Sequence, residues 1–170
     1  MKKVLLSLTV FICFLMIASR SQAQQVQSAD SYNTAVGIKF GAYEDGVSVK
    51  WFPTSNVSYE GVLGFRNHGV VVTGLYELNQ EAFNVPELKF YYGFGAHIGG
   101  EGKGYYDRLG GDNEYYDTGH LLLGADGVIG LEYMIPKSPI ALSLDLNPRV
   151  ELATGPFFDI APGFGVKYTF

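Results

Sequence analysis

The sequence has almost no cysteine, since Cys13 is its only one and lies within an apolar N-terminal stretch. Once that stretch is set aside, the chain has no disulfide, no thiol nucleophile and no cysteine metal ligand. Basic residues are also scarce, with 12 Lys and Arg against 17 Asp and Glu. An acidic chain is a poor partner for the phosphate backbone, so we expect no nucleic-acid binding.

Residues 1–23 have the features of a cleaved signal peptide. Lys2 and Lys3 precede an apolar run from Val4 to Ala18, and Ser21-Gln22-Ala23 places small residues at positions −3 and −1 of a cleavage site. The run is about 15 residues long, shorter than the ~20 that a spanning helix needs. Cleavage after Ala23 would also remove Cys13.

Cleavage would leave 147 of the 170 residues, enough for one domain. Nine basic residues then remain against 17 acidic ones, a net charge of −8. We divide the chain into the signal peptide (1–23), a polar leader (24–32) and one barrel domain (33–170).

A helical pattern of useful length is absent after residue 23, and apolar residues alternate with period two instead. That alternation is the signature of β-strands. In the last segment Phe164, Val166, Tyr168 and Phe170 share one face. The segments predict eight strands, at about 33–43, 46–52, 57–66, 69–78, 87–98, 119–135, 140–149 and 159–170. Most are about 9–11 residues long, the length that crosses a bilayer when tilted.

Charged residues are absent from the apolar face of these eight segments and lie on the opposite face. Twelve of them are expected to fill the lumen. These are Lys39, Lys50, Glu60, Arg66, Glu77, Lys89, Asp126, Glu132, Asp145, Arg149, Asp159 and Lys167. A Lys or Arg facing lipid near the midplane would cost about 2–4 kcal/mol. We therefore predict an all-β, eight-stranded antiparallel up-and-down transmembrane β-barrel whose lumen is filled by paired side chains.

The connections at 53–56, 79–86 and 136–139 are expected to lie at the same end as both chain termini, which would be periplasmic. Seven aromatic residues would then form a girdle near that end: Trp51, Tyr59, Tyr76, Phe90, Tyr133, Tyr168 and Phe170. The outer loops would be 44–46, 67–69, 99–118 and 150–158. Pro162 is expected to mark a bulge in the last strand.

The C-terminal residues Phe164-Gly-Val-Lys-Tyr-Thr-Phe170 resemble the terminal signal of outer-membrane barrels, which alternates apolar residues and ends in an aromatic. The whole chain after the signal peptide resembles the small OmpA-like and OmpX-like barrel domains of Gram-negative bacteria. The resemblance implies an outer-membrane location and recognition of Phe164, Val166, Tyr168 and Phe170 by the barrel-assembly machinery. We expect a monomer whose partner is the bilayer.

Residues 99–118 form the most distinctive loop, because they carry two Tyr-Tyr-Asp triplets. Tyr105-Tyr106-Asp107 and Tyr115-Tyr116-Asp117 could fold over each other as a protruding hairpin. Tyrosine gives a large contact area at low entropic cost, so the loop is the candidate binding surface. A mobile solvated loop is the alternative interpretation. The extracellular ligand is left open.

Catalytic and metal sites find little support. Asp112-Asn113-Glu114 lacks the spacing of a calcium loop, and there is no Gly-x-Ser-x-Gly motif. His97 and His120 are symmetric about the loop and are expected to be cross-strand neighbours, paired with lumen groups rather than a metal. We expect a non-enzymatic structural or surface-interaction protein without cofactors.

Two alternatives stay open. Outer-membrane acyltransferases and deacylases use a His with a Ser, and Ser48, Ser58 or Ser143 could serve as that Ser. His68 lies in an outer loop, but no Ser or Asp is close to it in the sequence. A soluble lipocalin-like carrier would also alternate, but with its apolar face inside. The aromatic rim, the missing cysteines and the terminal Phe170 favour the membrane barrel.

Overall fold

A computed structural model describes residues 32–66, 68–106, 114–153 and 157–170. Within them the chain forms ten strands. These are β1 (Thr34–Gly41), β2 (Asp45–Thr54), β3 (Val57–Arg66), β4 (Gly69–Ala82), β5 (Val85–Glu101), β6 (Gly104–Tyr106), β7 (Glu114–Tyr116), β8 (His120–Met134), β9 (Ile140–Glu151) and β10 (Phe157–Thr169). The predicted signal peptide and residues 24–31 of the predicted leader lie outside the described residues.

Eight of the strands close into one antiparallel barrel in the order β1-β10-β9-β8-β5-β4-β3-β2. Closure is made by β1 and β10, which pair from Ala35 opposite Thr169 to Gly41 opposite Gly163. The remaining strands, β6 and β7, form a separate two-stranded hairpin. The prediction of an all-β barrel of eight antiparallel strands is confirmed.

The two faces of the barrel wall differ as the alternation predicts. Lys50, Glu60 and Lys167 are at most 1% exposed, whereas most of the large apolar side chains of the barrel strands point outward. Leu144, for example, is 64% exposed. We call the outward-facing surface of the eight strands the outer wall and the enclosed space the lumen.

The two ends of the barrel are named by what they carry. The termini rim holds Thr34, Thr169 and the short connections β2–β3, β4–β5 and β8–β9. The loop rim holds the other connections, including the β6–β7 hairpin between β5 and β8. Within the described ranges, no helix is long and apolar enough to cross a membrane.

The β4–β5 connection is much shorter than the predicted segment 79–86. The strands continue until Ala82 pairs with Val85, so only Phe83 and Asn84 form the turn, both with φ of 56°. Two residues with positive φ are typical of a tight hairpin turn whose twist matches that of the flanking strands. The prediction was wrong because Pro86 was taken as a loop residue, although a proline at a strand end is tolerated.

The predicted bulge at Pro162 is also wrong. The pairing of β10 with β9 runs from Phe157 opposite Glu151 to Tyr168 opposite Ile140 with no change of register. The Pro162 carbonyl accepts from the Ala42 amide, so the missing N–H of Pro162 faces the same side, where β1 has already ended at Gly41. The proline therefore removes no hydrogen bond from the β9–β10 ladder.

Candidate functional site

The lumen contains a cluster of charged side chains toward the termini rim. We call Lys50, Glu60, Glu77, Glu132 and Lys167 the inner cluster. Lys50 Nζ lies 2.9 Å from Glu77 Oε2 and 3.3 Å from Glu132 Oε2. Lys167 Nζ lies 2.9 Å from Glu60 Oε1 and also 3.3 Å from Glu132 Oε2. Glu132 therefore links the two lysines, which come from strands β2 and β10.

Aromatic side chains close the lumen between the inner cluster and the termini rim. Tyr32 and Phe52 pack edge to face with ring centroids 4.9 Å apart, and both are buried. Tyr32 donates a hydrogen bond to Glu132. Lys89 Nζ lies 4.9 Å from the centroid of the Phe52 ring, and Lys50 Nζ lies 5.2 Å from it. Tyr32, at the end of the predicted leader, thus lies inside the barrel.

A further ion pair, between Lys39 and Asp145, lies in the middle of the lumen. Lys39 Nζ is 3.1 Å from Asp145 Oδ2, and the Tyr91 hydroxyl donates to the same oxygen at 2.7 Å. A Cβ on Gly130 would stand 2.7 Å from the Tyr91 ring, and one on Gly163 would stand 2.7 Å from Asp145 Oδ1. Glycine on the inner face is therefore required for Tyr91 and Asp145 to fit.

A second charged cluster lies toward the loop rim. We call it the mouth cluster, and it consists of Glu44, Arg66, His97, Glu101, His120, Asp126, Arg149 and Glu151. Glu44, in the β1–β2 loop, lies 2.9 Å from Arg66 Nε and 3.4 Å from Arg149 Nη1. Arg66 Nη1 also lies 2.8 Å from Glu101.

The Glu44 carboxylate is held ionised by the two arginines. Burial acts to raise the pKa of Glu44, but the charges of Arg149 and Arg66 and their hydrogen bonds outweigh burial and lower the pKa from its ordinary 4.5. The loop that carries Glu44 is thereby held over the lumen, against strands β3 and β9.

The two histidines do not face each other. His97 pairs with Gly124 across β5–β8, and His120 pairs with Glu101. The prediction that they are cross-strand neighbours is therefore wrong. Symmetry about the loop would place His97 opposite His120, but the β5–β8 pairing places it opposite Gly124, four residues further along β8. Each contacts carboxylates instead: His97 contacts Asp126 and Glu151, and His120 Nε2 lies 3.3 Å from Glu101.

Three mouth carboxylates, Glu44, Glu101 and Glu151, were missing from the predicted lumen set. Glu101 lies on the same parity as Lys89 and His97, and Glu151 on the same parity as Arg149. Continuing the alternation past the predicted strand ends would have found both. Glu44 lies in a loop, where alternation carries no information.

The predicted binding loop contains the hairpin of β6 and β7, in which Tyr105 pairs with Tyr115. Their ring centroids are 4.7 Å apart, and Tyr105 is 74% exposed. The Tyr116 ring stacks on His120 with centroids 4.0 Å apart, which joins the hairpin to the barrel. Asp117 is exposed. Asp107 and the side chain of Tyr106 lie outside the described part of the loop.

The lumen offers little space for a substrate. A cavity of about 30 Å³ between Lys39, Asn147 and Arg149 is roughly the volume of one water molecule. Ser48, Ser58 and Ser143 are all buried, so a lipid outside the barrel cannot reach their hydroxyls. Among the described residues, no three or more His, Cys, Asp or Glu side chains are grouped so as to hold a metal ion.

Aromatic side chains also form a continuous line on the outer wall. Trp51, Tyr59, Tyr76 and Phe94 are direct cross-strand neighbours on β2 to β5. Their successive ring centroids are 6.0, 5.6 and 5.5 Å apart. The C-terminal residues Phe164, Tyr168 and Phe170 are exposed on the outer wall, and Val166 is half-buried there.

Comparison with solved structures identifies the same architecture elsewhere. The crystal structure of the N-terminal β-barrel domain of Pseudomonas aeruginosa OprF matches 85% of this chain and 100% of its own length, with a TM-score of 0.59 and 18% sequence identity. The two barrels share one fold. The resemblance to small OmpA-like barrels is thus confirmed for the fold. No protein-family model and no curated protein matches the chain.

Proposed function

We propose that this chain is an integral outer-membrane protein of a Gram-negative bacterium, exported by a cleaved signal peptide and inserted as a monomer. The proposal rests on the distribution of charged and apolar side chains between the lumen and the outer wall, which is the inverse of that in a soluble protein. Ion pairs such as Lys50–Glu77 are buried in the lumen, while Leu144, Phe158 and Phe94 are more than 60% exposed on the outer wall. Soluble monomers rarely expose apolar patches larger than about 300–600 Å².

The inversion also argues against a soluble carrier. A lipocalin-like barrel needs an apolar interior for its ligand, whereas this lumen holds charged groups and a cavity of about 30 Å³. The line of Trp51, Tyr59, Tyr76 and Phe94 begins at the termini rim and supports an interfacial aromatic girdle there.

The role that we propose is non-enzymatic, either structural or in surface interaction. The β6–β7 hairpin is the candidate contact surface, because Tyr105 and Tyr115 present a paired aromatic face at the loop rim. Rigid aromatic side chains bind partners at low entropic cost. We further propose that Phe164, Val166, Tyr168 and Phe170 are recognised by the assembly machinery during insertion.

Fractionation tests the location. We expect the protein in the outer-membrane fraction, with faster gel migration before boiling than after it. Recovery as a freely soluble periplasmic protein would contradict the proposal.

Cysteine labelling tests the orientation, because the chain lacks cysteine after residue 23. On intact cells, Tyr105→Cys should react with a membrane-impermeant maleimide, while the exposed Ser55→Cys at the termini rim should react only after lysis. Equal labelling of both on intact cells would contradict the proposed orientation.

A further inference from the structure

His97 lies between two carboxylates that come from two other strands. Its Nδ1 is 2.9 Å from Asp126 Oδ2 on β8, and its Nε2 is 3.0 Å from Glu151 Oε2 on β9. The side chain of His97 is 1% exposed, and a Cβ on Gly124 would stand 2.5 Å from its Cε1. The ring therefore has little freedom to turn away from either carboxylate.

When both carboxylates are ionised, both contacts are satisfied at once only by the protonated ring. An imidazolium donates from both nitrogens, whereas a neutral imidazole donates from one and presents a lone pair at the other. A neutral His97 would therefore turn a lone pair toward one of the two carboxylates. The composition of the mouth cluster favours the charged form as well, since four carboxylates there are matched by only two guanidiniums.

Loss of the proton would affect the two carboxylates unequally. Asp126 keeps a second cation, because Arg149 Nε lies 4.0 Å from it. Among the described residues, the donors left to Glu151 are two backbone amides, that of Leu123 at 2.7 Å and that of Ala153 at 3.4 Å. On β4, the residue opposite His97 is Thr73, which carries no charge. Glu151 is therefore the group that deprotonation would release.

Glu151 is the last residue of β9 and fixes the end of that strand. Besides the contact to the Leu123 amide, the Leu152 amide donates to the Leu123 carbonyl at 2.8 Å. A carboxylate that loses its cation in a buried position is driven toward water. Movement of Glu151 would weaken both hydrogen bonds to Leu123.

We propose that protonated His97 is a pH-sensitive clamp that joins β5, β8 and β9 at the loop rim, and that its deprotonation frees the end of β9. The proposal goes beyond the outer-membrane role and does not depend on it. The result would be a barrel in which the end of β9 is held tightly near pH 5 and more loosely near pH 9.

Amide hydrogen exchange of the folded protein in detergent micelles tests the proposal. Between about pH 5 and pH 9, the protection factors of Leu123, Leu152 and Ala153, corrected for intrinsic exchange, should fall by about tenfold. Amides of the inner-cluster strands, such as that of Glu60, should not change. Protection at Leu123 that is constant with pH would overturn the proposal.

Two histidine variants provide the matched comparison. His97→Gln cannot be protonated and should show the low protection at every pH, whereas His120→Gln should keep the wild-type dependence. Persistence of the pH dependence in His97→Gln would refute the clamp.

The ring nitrogens of the wild-type protein give a reading that needs no variant. Their ¹⁵N shifts should show both nitrogens of His97 protonated at about pH 6, where an exposed histidine is already partly neutral. A neutral His97 ring at that pH would equally overturn the proposal.

Discussion

Lys167 on β10 reaches across the lumen to Glu60 on β3, with 2.9 Å between Nζ and Oε1 and both side chains at most 1% exposed. The two strands are not neighbours in the barrel, since β1 and β2 lie between them. The ion pair therefore ties opposite parts of the wall together. Its stability depends on both partners, because a single buried charge without its partner is strongly unfavourable.

Lys167→Met should lower the free energy of unfolding by about 3–5 kcal/mol, because Glu60 would lose its closest cation. The double variant Lys167→Met/Glu60→Gln should recover most of that loss, since removal of one cation and one carboxylate together leaves the net charge of the inner cluster unchanged. Urea unfolding in detergent micelles, followed by tryptophan fluorescence of Trp51, measures both.

Lys103→Met is the control, because Lys103 is exposed and the same chemical change there should be nearly neutral. A double variant as unstable as Lys167→Met would show that packing, rather than charge balance, determines the effect.

The alternation in the sequence was enough to predict the strand count and the inward position of Lys50, Glu60, Glu77 and Lys167. These residues obey a period of two, which the strands preserve along the segments that carry them. The pairing partners could not be predicted. Lys167 meets Glu60 only because closure places β10 and β3 across one narrow lumen, a relationship between strands that local periodicity does not contain.

Residues outside the regular strands were harder to predict. Tyr32 and Glu44 lie before β1 and between β1 and β2, yet both enter the lumen and contact Glu132 and Arg66 respectively. Their positions are fixed by these contacts with residues of distant strands, which alternation within a strand does not encode. His97 likewise lies opposite Gly124 because of the way β5 pairs with β8, which symmetry about the 99–118 loop does not predict.

A cationic side chain near the middle of the outer wall should lower the stability of the barrel in lipid. Leu144→Arg should cost about 2–4 kcal/mol in lipid, whereas Leu152→Arg, just beyond the end of β9, should cost about 0–1 kcal/mol. Leu144 and Leu152 are both more than half exposed, so burial in the protein does not distinguish them. Reversible unfolding from phospholipid vesicles measures the difference, and equal small costs would indicate that the outer wall faces water.

Acid should weaken the contact between the β1–β2 loop and the barrel. Because the pKa of Glu44 is lowered in the folded protein, its carboxylate contributes stability above pH 4.5, and the contribution is lost as the pH falls below that value toward the folded-state pKa. Glu44→Gln should therefore cost about 1.5–3 kcal/mol at pH near 7 and much less in acid.

Unfolding free energies of the wild type and Glu44→Gln, measured from neutral to acid pH, check this prediction. The exposed Glu81→Gln is the matched control and should follow the wild type at every pH. A Glu44→Gln deficit that does not shrink in acid would contradict the assignment of the stability to the ionised carboxylate.

The β4–β5 turn should tolerate asparagine better than its present phenylalanine. Phe83 has a φ of 56° and is 80% exposed, so it bears the cost of a left-handed backbone with little packing in return. Phe83→Asn should stabilise the barrel by about 1 kcal/mol, while Asn84→Ala should destabilise it, since alanine is poorly suited to positive φ. Thermal or urea unfolding measures the change in stability of each variant. A loss of stability in Phe83→Asn would show that the Phe83 ring makes a contact outside the chain.

The C-terminal aromatic should matter for assembly more than for stability. Phe170 is 41% exposed and contacts the Tyr168 ring at 5.0 Å, while its amide donates to the Thr34 carbonyl, a bond that any side chain preserves. Phe170→Ser should therefore change the unfolding free energy by about 1 kcal/mol or less. In cells, however, it should sharply reduce the amount of folded barrel.

Tyr133→Ser is the control, because Tyr133 is an equally exposed aromatic on β8. Equal losses of folded protein in both variants would mean that the outer wall as a whole, and not the terminal signal, controls insertion.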